Sequence, residues 1–325
     1  MKFSRRHFLH LAAGTAALPT MPHIARAQAY PSRPVRIIVA YGPGGAHDFH
    51  ARLIAQWLTE RLGKPFLVDN RGGAGGNIGT EAAVRAPADG YTLLLLGSAN
   101  TVSTLFSEKL TFDVRRDLSP VAGIVTNMFV VVVHPSVPVA NIPELISYAK
   151  ANPNILSFAS PGIGSSGHLI GEMFKTMTGA TLVHVPYRSE GPAITDLLSG
   201  QIKLMFQSVT TALQYVRAGT VRPLGVTATT RSLALPDLPM VGDFVPGFEA
   251  TSYIGISAPI GTPAEIIGQL NREINAGLAS PAINARYAEL GATVLQGSPA
   301  DFGRQVSEEI DKWSKVIRTV SIKPD

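Results

Sequence analysis

The chain has 325 residues, no cysteine, and a net charge of +5 from 28 basic and 23 acidic residues. Four of the basic residues and none of the acidic ones lie within residues 1–27, so the 298 residues that follow carry a net charge of about +1. These residues contain no basic run that would favour binding to a nucleic acid. Those residues provide for two domains of about 150 residues each, and the lack of cysteine excludes disulfides and a lipid attached at cysteine.

Residues 1–27 have the three parts of an export signal. A basic start at residues 2–6 precedes an apolar run at residues 8–18, which is too short to span a membrane, and Ala25-Arg26-Ala27 has the small-x-small form that a signal peptidase cleaves. The paired arginines also resemble a twin-arginine signal, which leaves the Tat and Sec routes both open. We predict a periplasmic protein whose mature chain begins at Gln28.

A buried strand, a glycine turn and an amphipathic helix follow one another near residue 40. Residues 35–39 are apolar and mostly β-branched, and Gly42-Pro43-Gly44-Gly45 breaks the strand. Apolar residues then recur every three or four positions between residues 49 and 62. Because a helix start leaves backbone N–H groups unpaired beside the positive end of its dipole, this junction suits an anion. A tight turn that binds nothing is the alternative interpretation.

The next elements continue the alternation of strands and helices. Strands are predicted at residues 66–68 and 92–96, with a helix at 78–86 between them, after a glycine-rich loop at 70–77. The third strand ends in a polar segment at residues 97–100. This alternation predicts a parallel α/β sheet, in which ligands bind at the C-terminal ends of the strands.

The second half of the chain repeats the opening pattern. A strand at residues 128–134 is long enough to leave one sheet and enter another, and it leads to a strand at 156–159, a glycine-rich turn at 160–167 and a helix at 168–178. The chain therefore carries two glycine-rich loops about 120 residues apart, one in each half. Amphipathic helices at 263–278 and about 299–320 are interpreted as packing elements.

Three chemical alternatives are weaker. Gly162, Gly164 and Gly167 fit G-x-G-x-x-G, but the next strand runs into Pro186-Tyr187-Arg188, where a dinucleotide site needs an acidic residue. The segment 164–168 misses the serine hydrolase motif by one residue. His47, Asp48 and His50 are close, but at a helix start they are typical of capping rather than metal binding. We predict no catalytic residue, no metal and no cofactor.

Motifs spread over nearly the whole mature chain resemble one family, the periplasmic solute-binding proteins of tripartite tricarboxylate transporters, also called the Bug family. The motifs that carry the resemblance are Gly42-Pro43-Gly44-Gly45 with Asp48, Asp69-Asn70-Arg71, Asp89-Gly90-Tyr91-Thr92-Leu93, residues 160–169, His184-Val185-Pro186-Tyr187-Arg188, Asp196-Leu197-Leu198-Ser199-Gly200, residues 231–239 and Ala258-Pro259-Ile260-Gly261-Thr262-Pro263.

The resemblance implies a fold, a function and partners. The fold would be an α/β, two-domain clamshell of the type II periplasmic-binding-protein (Venus-flytrap) class, with residues 28–128 and 251–325 in one domain and 129–250 in the other. The protein would be a monomer that binds a small organic carboxylate between the domains and delivers it to the membrane subunits of a tripartite tricarboxylate transporter. A ligand-presenting sensor and an exported enzyme on the same fold are the alternatives.

The resemblance also implies where the ligand binds. The loops at residues 41–48 and 160–166 would hold the carboxylate, largely through backbone N–H groups and hydroxyls. Tyr253 stands where many members have Trp, and residues 100–106 lack a common Asn-Pro, so dicarboxylate, tricarboxylate, aromatic acid and amino acid ligands all stay open. The predicted ligand-binding residues are Tyr41, Gly44, Gly45, Ala46, Asp48, Ser98, Ser160, Gly164, Ser165, Ser166, Tyr187, Gln207 and Tyr253.

Overall fold

The first half of the fold is a sheet of predominantly apolar strands. The computed structural model describes residues 30–103, 105 and 110–320, so the predicted export signal lies outside the described residues. Three parallel strands come first, in the order β2-β1-β3, and all of β3 is buried, as its run of leucines requires. Their bounds are β1 Val35–Val39, β2 Phe66–Asn70 and β3 Thr92–Gly97.

One long strand, β4 (Leu118–Val133), belongs to both halves of the structure. Residues 118–128 pair with the antiparallel strand β9 (Thr251–Pro259), which also borders β3. From Phe129 onward, β4 pairs instead with strands of the second half. The strand starts ten residues before the predicted one. The prediction missed its first part because Pro120 and Gly123 interrupt the apolar pattern there. The strand accommodates them with two shifts of register.

The second half repeats the first, with parallel strands whose ends face the same cleft. The sheet continues from β4 in the order β7-β5-β6, with β4 antiparallel to β7 and to β8. A short strand, β10, pairs with the first part of β4 and was not predicted. The bounds are β5 Ser157–Ser160, β6 Val183–Pro186, β7 Leu204–Ser208, β8 Arg222–Val226 and β10 Ala292–Val294.

Helices connect the strands and cover the sheet. Within the described residues, no helix is both long enough and apolar enough to cross a membrane. The helices are α1 Ala46–Leu62, α2 Asn77–Val84, α3 Ser98–Ser103, α4 Val114–Asp117, α5 Ile142–Ala151, α6 Ser166–Thr178, α7 Glu190–Leu198, α8 Val209–Arg217, α9 Ala264–Ala279, α10 Pro281–Glu289 and α11 Pro299–Val320.

The apolar cores explain why the elements pack in this order. In the first half, Ile38 and Leu94 pack with Phe302 and Val306 of α11 beneath the sheet, as the amphipathic pattern of that helix predicts. In the second half, separate clusters of buried residues form on the two faces of the sheet. The C-terminal ends of β1 and β5 are thereby fixed, and each leads directly into a glycine-rich loop.

Candidate functional site

The first loop (residues 41–48) presents backbone donors at the start of α1. Gly45 is the N-cap residue, has an extended backbone and offers no side chain to the first turn of the helix. The N–H groups of that turn cannot find partners within the helix itself, so their acceptors must come from elsewhere. The first loop therefore has the donor arrangement that suits an anion.

Asp48 supports the first loop from within. Its Oδ2 accepts hydrogen bonds from the Gly44 N–H at 3.1 Å and from Arg52 Nε at 3.0 Å, and the side chain is buried. Burial raises the pKa of Asp48, but hydrogen bonds from Arg52, Gly44 and Asn70 outweigh it and hold the pKa below its ordinary value. The carboxylate thus fixes Gly44, whose φ of 86° is in the left-handed region, and does not line the cavity described below.

A carboxylate from the second half of the fold reaches the start of α1. Glu190 begins α7, and its Oε2 accepts a hydrogen bond from the Ala46 N–H at 3.2 Å. Its Oε1 accepts one from Thr211 Oγ1 at 2.6 Å, and the Gln207 side chain supplies a third. Burial raises the pKa of Glu190, and these three hydrogen bonds oppose that rise. The sequence analysis missed Glu190, although its place just after β6 matches that of the two loops after β1 and β5.

The second loop (residues 160–167) is held together by its own side chains. Ser165 caps α6 by accepting a 3.4 Å hydrogen bond from the His168 N–H, and the Gly164 N–H donates to His168 Nδ1 at 3.0 Å. Ser160 Oγ accepts a hydrogen bond from the Gly162 N–H at 3.2 Å and lies 2.6 Å from His184 Nε2. These contacts fix the loop before any ligand is considered.

The buried imidazole of His184, behind the second loop, is neutral at pH 7. The rings of His168 and His184 stack with centroids 4.1 Å apart. Burial, followed by the neighbouring charge of His168, lowers the pKa of His184 to about 3. His184 therefore adds no cationic side chain behind the second loop, whose backbone dipoles can attract an anion.

A cavity of about 620 Å³, counting the part open to solvent, lies between the two loops. Five predicted residues line it: Tyr41, Gly45, Ala46, Ser165 and Ser166. Its apolar wall was not predicted and consists of Phe129, Met205, Phe206 and Ile254. No lysine or arginine is among the described residues that line it. The cavity therefore combines backbone donors with an apolar wall, which suits an organic anion.

Three buried polar atoms near the cavity have no hydrogen-bond partner within the part of the chain that the structure describes. They are His47 Nε2, Gln207 Oε1 and Ser208 Oγ, and the last two residues are only 2% and 5% exposed. His47 and Ser208 line the cavity directly. Burial lowers the pKa of His47 to about 4, so its ring is neutral at pH 7. Buried polar groups normally have partners, which makes these three atoms candidates for ligand contacts.

Most of the other predicted residues lie behind the cavity walls. Ser98 Oγ accepts a 2.9 Å hydrogen bond from the Tyr253 N–H, and the Tyr253 hydroxyl bonds to Thr101. The Tyr187 hydroxyl donates to Asp196 Oδ2 at 2.5 Å. The structure brings these residues near the site as supports. Gly44, Asp48, Ser98, Ser160, Gly164, Tyr187, Gln207 and Tyr253 do not line the cavity, and a role for them in ligand contact stays a prediction.

Glycines let the two halves of the fold touch through bare backbone. A methyl group on Gly42 would lie 2.7 Å from Ser189 Cβ, and one on Gly45 would lie 2.8 Å from Glu190 Oε2. A methyl group on Gly75 would overlap the carbonyl oxygen of Ile163. Since real Cβ atoms do not approach this closely, these positions require glycine in the arrangement that the structure shows.

Neither a metal centre nor a triad is apparent around the cavity. Among residues 30–103, 105 and 110–320, no group of three or more His, Cys, Asp or Glu side chains could hold a metal ion. Ser165 directs its hydroxyl to the His168 N–H, so it serves as a helix cap in this arrangement rather than as an activated nucleophile.

Comparisons with known proteins give consistent matches over nearly the whole described chain. A family model described as "Tripartite tricarboxylate transporter family receptor" matches residues 50–322. Protein BugT of Bordetella pertussis (strain Tohama I) is 36% identical over 300 residues, which are 91% of this chain and 92% of BugT.

Two solved structures are similar in both fold and sequence. The structure of R. palustris Rpa4515 with adipate matches with a TM-score of 0.89 and 37% identity, over 91% of this chain and 100% of that chain. The structure of periplasmic binding protein BugD matches with a TM-score of 0.88 and 33% identity, over the same shares of the two chains.

Proposed function

The chain belongs to the receptor family of tripartite tricarboxylate transporters, and we propose that it is a periplasmic receptor that binds a small organic carboxylate between the two halves of its fold. The predicted family and the predicted periplasmic-binding-protein fold are confirmed by the matches to BugT, Rpa4515 and BugD. The observation that carries the proposal is the cavity itself, which two helix starts face with backbone donors.

Backbone donors suit this task because they attract an anion without carrying a full charge. In the proposed complex, one ligand carboxylate lies between the start of α1, at the His47 N–H, and the start of α6, at Ser166 and Gly167, because the Ala46 N–H already donates to Glu190. These three residues line the cavity. Binding of this kind avoids the desolvation of a buried cation, which can cost several kcal/mol. The apolar wall around Phe129 would hold the carbon chain of the ligand.

The similarity to Rpa4515 supports the choice of ligand class. That protein was solved with adipate, a dicarboxylate. The cavity of this chain combines backbone donors with an apolar wall, which suits a carboxylate that carries a carbon chain. From this similarity we infer a carboxylate ligand for this chain, and not adipate itself.

We propose a hinge at the two places where the chain passes between the halves. β4 exchanges its partner strands between Met128 and Phe129, and β9 begins at Thr251. Beside this crossing, Thr227 N–H donates to Phe129 O, and Ala250 N–H donates to Thr227 O. This supports domains of residues 28–128 with 251–325 and of residues 129–250. A ligand that contacts both domains favours the closed state.

The proposal also covers the export, location and partners of the protein. Residues 1–27 act as the export signal, cleaved near Ala27, and the mature monomer works in the periplasm without catalysis. It delivers its ligand to the membrane subunits of a tripartite tricarboxylate transporter, as the family description of the matched model suggests.

A thermal-shift panel tests the carboxylate claim. The protein is purified from the periplasm, freed of bound ligand by partial unfolding and dialysis, and heated with adipate, succinate, malate, citrate, benzoate and glutamate, with chloride and phosphate as controls. A true ligand at 100 times its dissociation constant stabilises the fold by about 2.7 kcal/mol, which raises the melting temperature. If no carboxylate raises it above the chloride control, the carboxylate claim is wrong and only the fold stands.

A further inference from the structure

The cavity contains a fixed carboxyl group of its own. Among the described residues that line it, Glu190 is the one acidic side chain, and none is Lys or Arg. Its carboxylate is held in place by the Ala46 N–H, by Thr211 Oγ1 and by Gln207. A methyl group on Gly45 would lie 2.8 Å from Glu190 Oε2, so the carboxylate packs directly against the first loop. The fold therefore holds the Glu190 side chain in a fixed position.

The wall beside Glu190 presents acceptors. Thr211 Oγ1 donates its one hydrogen to Glu190 at 2.6 Å while it accepts a hydrogen bond from Gln207 Nε2 at 3.2 Å. These two hydrogen bonds orient the amide nitrogen of Gln207 toward Thr211. Gln207 Oε1 is left buried without a partner among the described residues. Ser208 Oγ, which lines the cavity and is also buried, has none there either. The two carboxylate oxygens of Glu190 and the Ser208 hydroxyl, which line the cavity, favour a ligand group that donates hydrogen bonds.

The opposite side of the cavity has the reverse character. The second loop and the start of α6 bring the Ser166 and Gly167 backbones to the cavity, where a carboxylate is favoured. With His47 neutral and Glu190 ionised, a dicarboxylate would place three negative charges in the cavity and its wall, and no lysine or arginine among the described residues lines the cavity to balance them. A ligand that carries one ammonium group and one carboxylate would instead leave the negative charge unchanged and satisfy the acceptor wall.

We infer that Glu190 is a specificity-determining residue that selects an amino-carboxylate, a ligand with a carboxylate at one end and an ammonium group that faces Glu190, and that it disfavours a second carboxylate. The inference rests on the proposed function, because it assumes that a carboxylate binds in this cavity. It assigns the ammonium group to the wall formed by Glu190 and Ser208, with Gln207 behind them. It assigns the carboxylate to the His47 N–H and to the start of α6.

Titration calorimetry with matched pairs of linear acids tests this inference. Each pair has the same number of methylene groups and differs only in one end: succinate with 3-aminopropanoate, glutarate with 4-aminobutanoate, and adipate with 5-aminopentanoate. The wild-type protein is expected to bind one amino member at least about 10-fold more tightly than its dicarboxylate partner. Glu190→Gln is expected to reduce that preference at least about 10-fold, because the amide cannot attract an ammonium group as the carboxylate does.

A matched control tests whether the effect of Glu190→Gln is specific to the cavity. Glu289→Gln removes the same charge from an exposed side chain of α10 and is expected to leave the preference within each pair unchanged. The melting temperature of each variant verifies that it folds, and Thr211→Val provides a second variant that frees the Glu190 carboxylate without removing its charge. This second variant is expected to weaken the amino preference as well.

The outcomes separate the inference from the proposed function. If dicarboxylates bind the wild-type protein more tightly, or if Glu190→Gln leaves every ratio unchanged, Glu190 does not set specificity, while carboxylate binding stands. If neither member of any pair binds either protein, and no acid of the thermal-shift panel stabilises the wild type, the inference and the proposed function are both wrong.

Discussion

The helix after the first loop begins at Gly45 without a side-chain cap, whereas the helix after the second loop begins at Ser165, whose hydroxyl accepts a hydrogen bond from the His168 N–H. The first loop meets its need for an acceptor with Glu190, a residue from the other half of the fold. The second loop finds its hydrogen-bond acceptors in its own Ser160 and Ser165 and in the nearby His168. Two loops with similar glycine-rich sequences thus differ in what holds them.

This difference assigns the loops different parts in binding. The second loop is fixed by contacts inside its own half, so it forms one preorganised side of the site. The first loop is completed only when the two halves meet, because its acceptor and the bare contacts at Gly42 and Gly75 come from across the cleft. We therefore expect binding to be most sensitive to changes that keep the first loop and its glycine neighbours away from the second half.

The largest expected effect is that of Gly75→Ala. The new methyl group would overlap Ile163 O, so the halves could not close, and we expect the affinity for the best acid of the thermal-shift panel to fall roughly 100-fold. Gly63→Ala is the matched control, because Gly63 has nearly the same φ, 68° against 64°, and nothing within 4 Å of the added methyl group. Calorimetry compares the two. Equal affinities would show that the contact at Ile163 is not needed for binding.

Gly42→Ala should have a smaller effect that a second change reverses. Its methyl group would lie 2.7 Å from Ser189 Cβ, a contact that a slight opening of the halves relieves, and we expect a loss of about 10-fold in affinity. Ser189→Gly removes the opposing atoms, so the double variant should recover most of the wild-type affinity. A double variant as weak as Gly42→Ala would place the cause inside the first loop and not across the cleft.

Buried histidines near both loops should make the fold acid-sensitive to a comparable degree. The pKa of His50 in α1 and that of His184 beside the second loop are both lowered to about 3, chiefly by burial, against about 6.5 in the unfolded chain. The contribution of these two neutral histidines to stability is therefore fully present above pH 6.5 and falls as the pH drops below it, by about 1.4 kcal/mol per pH unit for the buried His50 and by less for the partly exposed His184. Urea unfolding between pH 7 and 4.5 measures the slope, and His184→Gln should reduce it. An unchanged slope would contradict the neutral state of His184.

The smallest expected effect concerns the helix cap of the second loop. Ser165→Ala removes the acceptor of the His168 N–H and should lower the free energy of unfolding by about 1 kcal/mol, with a weaker loss of ligand affinity. Ser189→Ala is the matched control, since Ser189 is the N-cap of α7 but its side chain makes no cap hydrogen bond. Urea unfolding should separate the two variants. If both lower stability equally, Ser165 does not hold the second loop in the way described.

The sequence predicted the parts of the fold that have strong local patterns. The strand at residues 35–39, both glycine-rich loops and the amphipathic helix at the C-terminus all lie where periodicity and turn residues indicated. Helix α8 was missed because Thr210 and Thr211 disfavour a helix locally, and the first part of β4 was missed because Pro120 and Gly123 interrupt its apolar run. Tertiary packing overrides these local preferences.

The loops beside the cavity were predictable, and its walls were not. Glycine turns indicate a backbone that can approach a ligand, and the family resemblance pointed to Tyr41, Gly45 and Ser166 there, which line the cavity. Glu190 carries no such signal, because an acidic residue at the start of a helix is ordinary, and its role depends on a contact with Ala46 that is 144 residues away in the chain. Only the folded arrangement of the halves reveals that contact.

The central claim is that one carboxylate is held by the backbone donors of both loops at once. Backbone amide NMR during a titration with the best acid of the panel measures this, by following His47 in the first loop and Ser166 and Gly167 in the second. We expect all three amide signals to shift along one binding curve with one dissociation constant. Shifts confined to one loop, or two curves with different constants, would contradict it.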